Sequence, residues 1–132
     1  MTGPTPAADR RDPVLRVAPR PQDINSNGHI FGGWVLAQMD IAGGILASQI
    51  CQGPCATVAI ESMAFIAPIL LQDLVSVYAQ VERRGRTSVS IRIDVLATRD
   101  RGQTEVAVTS GLFTFVALDE QQRPRAIVWP AA

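Results

Sequence analysis

From Gly32 to Ile50 the chain carries a single charge, Asp40, in a stretch otherwise made of Gly, Trp, Val, Leu, Ala, Ile and Met with Gln38, Ser48 and Gln49. At about 1.5 Å per residue this is roughly 30 Å of helix, apolar around nearly its whole circumference, which predicts a helix buried by the rest of its domain. Everything else in the chain must then serve to cover it. No Arg or Lys stands within two helical turns of Asp40. Burying a charge without a partner is costly, so a buried, locally unpaired Asp40 is the first catalytic candidate. The residues sharing its face, Ala37, Gly43, Gly44 and Ala47, are all small. Each mid-helix Gly costs about 1 kcal/mol against Ala, so the pair implies close approach by another backbone, a second helix or a ligand. The alternative is a core carboxylate satisfied by a distant Arg, Ser or backbone donor, with both glycines serving packing alone.

The remainder reads as strands. Residues 1–12, with Pro4, Pro6 and the Arg10-Arg11 pair, read as a disordered head. Residues 14–17 predict a short strand, after which Pro19 and Pro21 break the chain and open an Asn-rich loop. Beyond the helix, 56–63 alternates as a strand and Pro68 ends that region. A strand at 74–81 leads to a turn around Arg84-Gly85. In 87–96, Val89, Ile91, Ile93 and Val95 fall on one face and Ser88, Ser90, Arg92 and Asp94 on the other, the pattern of a half-buried antiparallel strand. A turn at Asp100-Arg101-Gly102 precedes a strand at 105–118, with Gly111 as a bulge or close-approach point and 119–122 as the closing turn. The 132 residues, 47% of them apolar, suffice for one domain, assigned to 13–127 with a tail at 128–132. The economical architecture is α+β: an antiparallel sheet of about five strands curled around one long central helix.

Several functional classes are excluded. The formal net charge is zero, which argues against nucleic acid as a partner. All twelve basic residues are Arg, so no Lys is available as a Schiff base or nucleophile. The polar residues within the helix and an N-terminus without signal-peptide character predict no membrane span and a cytoplasmic location. Cys51 and Cys55 have one His and no third Cys to complete a zinc site, and lack the spacing of a thioredoxin pair, so no metal is expected. They read as free thiols at the helix end, where Gly53-Pro54 supplies the stop.

Asp23-Ile24-Asn25-Ser26-Asn27-Gly28-His29-Ile30-Phe31-Gly32-Gly33-Trp34, followed by Gln38-Met39-Asp40, resembles the signature of hotdog-fold acyl-CoA thioesterases of the YciA type. The Asn-x-x-Gly-x-x-x-Gly-Gly core, with Asp seven residues after its last Gly, carries the likeness. Residues 57–68, the turn Arg84-Gly85-Arg86-Thr87-Ser88 and the ending 113–119 extend it over roughly 14–125. The resemblance implies a hotdog fold, hydrolysis of acyl-CoA to free acid and CoA without metal or cofactor, and Asp40 as general base or nucleophile. By the same matching, Asn25 falls where related thioesterases place a catalytic Asn, whereas His29 stands where many relatives carry an acidic residue or Asn.

The chemistry can be built independently. Thioester hydrolysis needs donors for the carbonyl oxygen and a base for water, and the thiolate leaves with little help. Gly32-Gly33-Trp34 at the helix start offers free backbone N–H groups and the positive dipole end, and glycine lets a thioester approach closely. Gly33 and Asp40 lie about 10 Å apart along one helix, too far to act on one carbon, so they are expected to come from different chains of a dimer with antiparallel helices. Further assembly to a trimer of dimers or a tetramer is left open.

The substrate-binding set is Gly32, Trp34, Ser62, Arg84, Gly85, Arg86, Thr87 and Ser88, the arginine turn suiting CoA phosphates, with His29 and Asn27 as further loop positions. Trp34 and Phe65 also read as core or interface residues, and Glu61 as a structural partner. Two rival functions are a non-catalytic acyl-CoA-binding hotdog protein and a hotdog acyl dehydratase pairing His29 with Asp40.

Overall fold

The computed structural model describes residues 12–130, so all but Asp12 of the expected head, and residues 131–132 of the tail, lie outside the described residues. The elements are β1 (Leu15–Val17), α1 (Gly32–Cys51), β2 (Cys55–Phe65), β3 (Leu74–Arg84), β4 (Ser88–Arg99) and β5 (Thr104–Ala117). The strands form one antiparallel sheet in the order β1-β3-β4-β5-β2. This is the predicted sheet around one helix. β3 and β4 each run three residues further than expected, because their ladder continues through the polar outer rows as far as Arg84↔Val89 and Leu74↔Thr98.

The alternation in β4 decides which face meets α1. Val89, Ile91, Ile93 and Val95 are essentially inaccessible and join Val75, Val77, Phe113 and Phe115 under the helix residues Met39, Ala42 and Ala47. Gly43 belongs to this contact. A Cβ there would sit 2.8 Å from both Ile93 Cδ1 and Phe115 Cζ, so its smallness serves the helix–sheet seam. Gly111 is a close-approach point, where a Cβ would lie 3.1 Å from the Ser62 carbonyl oxygen. The irregularities of register fall elsewhere, at 57/59 and 60/62 in β2, at 81/83 in β3 and, opposite Val95 and Leu96 of β4, at Val108 in β5.

The expectation that α1 is buried all round is corrected. Trp34, Val35, Met39, Ala42, Gly43, Ala47 and Cys51 face the sheet, whereas Ala37, Asp40, Ile41, Ile45 and Gln49 are exposed in the single chain. A sheet on one side of a helix covers only one stripe of it. By length and composition α1 could cross a membrane, yet its buried stripe makes it the core helix of this domain. Beside its open face runs β2, the last strand of the sheet, with Val58, Phe65 and the following Ile66 each more than half exposed.

At its far end α1 stops on Gln52 in the left-handed conformation, with the Gly53 amide on the Ser48 carbonyl. Arg125 completes the cap, donating from Nη2 to the Cys51 carbonyl at 2.6 Å and from Nε to the Leu118 carbonyl at 2.9 Å. The chain then continues along the β3–β4 turn, Ile127 N–H donating to the Arg86 carbonyl and Trp129 Nε1 to that of Gly85, both at 2.8 Å. Trp129, assigned to a tail from sequence, thus touches the domain.

Candidate active site

The loop before α1 is built by short-range hydrogen bonds. Ile24 and Ile30 form an antiparallel bridge, the Phe31 amide donates to the Asp23 carbonyl, and the Ile30 amide reaches across to the Ile69 carbonyl at 3.0 Å. Asp23 is buried, and the Arg20 amide at 2.8 Å, helped by the Arg20 guanidinium, holds its carboxyl below the usual range. Inside the bridge, Asn25 Oδ1 accepts from the Asn27 and His29 amides at 2.9 and 3.1 Å. Gly28, at φ +82°, allows the turn to close. With its oxygen spent on the loop, Asn25 has only the amide NH2 to offer a ligand.

α1 begins at Gly32 with no side-chain cap, and while the Trp34 amide donates to the Phe31 carbonyl at 3.1 Å, the Gly32 and Gly33 amides remain donors without an intrahelical acceptor. A cleft of about 290 Å³ opens at this end, lined by Asn25, His29, Gly32 and Val35 on one side and by 65–69 with Thr109 on the other. The mouth is polar and the wall apolar. Trp34, in contrast, is buried in the core and is not part of the lining. Ser62 is also absent from the lining; it lies at a register shift of β2, opposite Leu112.

Asp40 is not in this cleft. It is exposed rather than buried, and although no cation stands near it in sequence it has a partner from β2, for Thr57 Oγ1 donates to its Oδ1 at 2.6 Å. Its other oxygen has no protein donor among the described residues. α1 runs antiparallel to β2, so Gly32 lies by the Phe65 ring at one end and Asp40 by Thr57 nearer the other. Eight residues of helix separate Gly32 and Asp40 by roughly 12 Å. One chain therefore brings Asn25, His29 and Gly32 together at the cleft, with Gly33 next along the helix but outside the lining, and leaves Asp40 apart. His29 and Asp40, the pair a dehydratase would need, are separated in the same way.

The β3–β4 turn lies at the Asp40 end, with Ser88 opposite Val116 and Thr57 opposite Phe115. Its arginines differ in what holds them. Arg83 pairs with Glu61 at 2.6 Å, and Glu61 also takes the Thr114 hydroxyl, so its carboxyl is held low by Thr114 first and Arg83 next. Arg84 lies over the Trp129 ring at 4.9 Å. Arg86 has no side-chain partner among the described residues. Gly85 is required by the turn itself, since a Cβ there would collide with Ser88 Oγ and lie 3.0 Å from the Ser88 carbonyl oxygen. Thr87 contributes its carbonyl to the Ala117 amide.

A polar helix start, a detached carboxylate and an exposed apolar edge can be compared with known proteins. Residues 27–103 match the Thioesterase superfamily. The chain belongs to that superfamily. It is 46% identical over 120 residues to the acyl-CoA thioester hydrolase YciA of Escherichia coli strain K12, covering 88% of this chain and 90% of that protein. Among solved structures, a hexameric thioesterase of Yersinia pestis is 40% identical with a TM-score of 0.84, covering 92% of this chain and 97% of that one. A hexameric hotdog fold thioesterase of Campylobacter jejuni is 32% identical with a TM-score of 0.85, over 91% and 92% of the two chains. The sheet around α1 is thus the hotdog fold.

Two features of this thioesterase-superfamily chain escaped sequence reasoning. Thr57 looked like one more residue of an apolar strand; its signal was a lone hydroxyl between Ala56 and Val58, on the row facing the helix. The wall at 65–69 follows β2 without regular structure and had no motif to mark it. Cys51 and Cys55 are free thiols, as expected, with burial pushing both above the ordinary thiol range and the Cys51 and Asp40 charges adding to the effect at Cys55. Among the described residues no three His, Cys, Asp or Glu side chains gather as a metal site.

Proposed function

We propose that this protein is a cytoplasmic acyl-CoA thioesterase whose active site is completed between two subunits. The observation that carries the reading is the split site: donors and an apolar cleft at one end of α1, and a carboxylate oriented by Thr57 on its open face. Asn25 Nδ2 and the Gly33 amide take the thioester oxygen. Asp40 of the other subunit acts as general base toward water, or as nucleophile, at the carbonyl carbon. As the tetrahedral intermediate collapses the C–S bond breaks and the CoA thiolate leaves. In the general-base route the proton that Asp40 took from water returns to the thiolate or to solvent. In the nucleophilic route solvent protonates the thiolate, and water then cleaves the acyl–Asp40 anhydride to free the acid and the carboxylate. The reaction so drawn requires no cofactor.

Association is supported by the exposed apolar set Phe31, Ile41, Ile45, Val58, Ile60, Phe65 and Ile66, which flanks Asp40 along α1 and β2. A dimer that joins these surfaces with its helices antiparallel brings Asp40 toward the partner subunit's Gly33. The hexameric relatives favour a trimer of such dimers over a tetramer. Arg86, with the Gly85, Thr87 and Ser88 turn, would meet the CoA phosphates, and the acyl chain would lie along the cleft wall.

A free-thiol release assay on acyl-CoA tests the reading. Asp40→Asn should leave the fold and assembly intact and lower kcat by about 10²–10⁴-fold. A variant turning over at the wild-type rate would make Asp40 a structural carboxylate and overturn this mechanism, whereas a wild type that binds acyl-CoA and releases no thiol would favour a binding protein over an enzyme.

A further inference from the structure

Two carboxylates among the described residues are buried, and Asp23 is accounted for by Arg20 within its own turn. The other, Asp73, is 3% exposed and stands at the entry to β3, beside the wall of the cleft. Arg99, the last residue of β4, donates from Nε to Asp73 Oδ1 at 2.9 Å and from Nη2 to the Pro68 carbonyl at 2.7 Å. Asp73 Oδ2 accepts the Leu70 amide at 2.8 Å, and the Asp73 amide donates back to the Leu70 carbonyl at 3.0 Å.

The wall at 65–69 belongs to no strand beyond Phe65. Its other main-chain anchors are the Ile66 and Ala67 amides on the Val108 carbonyl and the Ile69 carbonyl under the Ile30 amide. Pro68 has no N–H, so its carbonyl is the one main-chain group by which it can be hydrogen-bonded, and Arg99 takes it. A planar guanidinium can hold a carboxylate and a carbonyl at once in fixed directions; an ammonium binds as a point charge.

We propose that Arg99 and Asp73 are positioning residues for specificity: by clamping Pro68 they set where the apolar wall stands, and so how long an acyl chain the cleft accepts. This rests on the reading that acyl-CoA is the substrate and that its acyl chain enters this cleft. An acetyl group reaches only the Asn25 and Gly33 end, whereas a longer chain lies against Phe65, Ile66, Pro68 and Ile69. Each methylene withdrawn from water is worth about fourfold in affinity, so a displaced wall penalises long chains selectively.

The test is a straight-chain acyl-CoA series from two to sixteen carbons, assayed by thiol release with wild type, Arg99→Lys and Asp73→Asn. In both variants kcat/KM for the longest chain that wild type accepts should fall at least about fivefold relative to acetyl-CoA, with the loss in KM. Equal losses along the series, or a loss confined to kcat, would overturn the assignment. A wild type that releases no thiol from any member would remove the acyl-CoA reading itself, and this assignment with it. Should both variants fail to fold, amide exchange on the wild type decides: a decyl-CoA thioether should protect residues 66–73 and CoA alone should not. Equal protection by the two ligands would refute the clamp.

Discussion

Gly43 and Gly44 are adjacent and identical, yet the sheet meets them differently. A Cβ on Gly43 would press on Ile93 and Phe115 at 2.8 Å, whereas one on Gly44 would find its nearest neighbour, Phe115 Cε2, at 4.0 Å. Overpacking a core typically costs about 1–3 kcal/mol, against about 1 kcal/mol gained by replacing a helical Gly with Ala. Gly43→Ala should therefore destabilise by up to roughly 2 kcal/mol net, and Gly44→Ala should be neutral or stabilising by up to about 1 kcal/mol. Urea titrations at one fixed protein concentration check this, since assembly contributes to the measured stability. Shifts of the same sign and size would mean that the helix–sheet seam does not distinguish the two sites.

The β3–β4 turn is an element held from three sides: its own Gly85–Ser88 bond, Glu61 on Arg83, and the returning C-terminal segment through Ile127 and Trp129. That bracing leaves Arg86 as the turn's cation without a side-chain partner among the described residues. CoA phosphates lie far from the reacting carbon, so a contact there acts on binding more than on chemistry. Arg86→Ala should raise KM for acyl-CoA about tenfold, in keeping with a lost charge-assisted hydrogen bond of about 1.5–3 kcal/mol partly replaced by water. Hydrolysis of a short thioester lacking the nucleotide should hardly change. Parallel losses on the two substrates would take this turn out of the CoA site.

On the scale of the whole molecule, the proposed function makes one chain half of two sites. Its cleft and amides lie at the start of α1, its carboxylate and arginine turn toward the other end, and its exposed apolar residues lie between and alongside them. Mixed oligomers test the arrangement. Asp40→Asn subunits and subunits substituted at Gly33 to block substrate approach should each be inactive alone. Refolded together, they should regain part of the wild-type rate, up to about half per dimer, because one of the two sites receives both intact elements. Verified heterodimers as inactive as either parent would require a site within one chain and another donor for Asp40 to work with.

Strand order along the chain, the single long helix, the core row Val89, Ile91, Ile93 and Val95, and the loop motif from Asn25 to Gly33 were all legible in the sequence. They rest on local periodicity and on turn residues whose conformational needs are local. The split between Gly33 and Asp40 was legible too, since it follows from helix rise alone. The sequence could not say that only one stripe of α1 is covered within the chain, because an apolar residue facing its own sheet and one left open in the single chain look the same. Nor could it pair Thr57 with Asp40, Arg99 with Asp73 and Pro68, or Arg125 with the end of α1. Those partners are separated by 17 or more residues and meet only once the sheet has set its register, which makes them products of the tertiary structure.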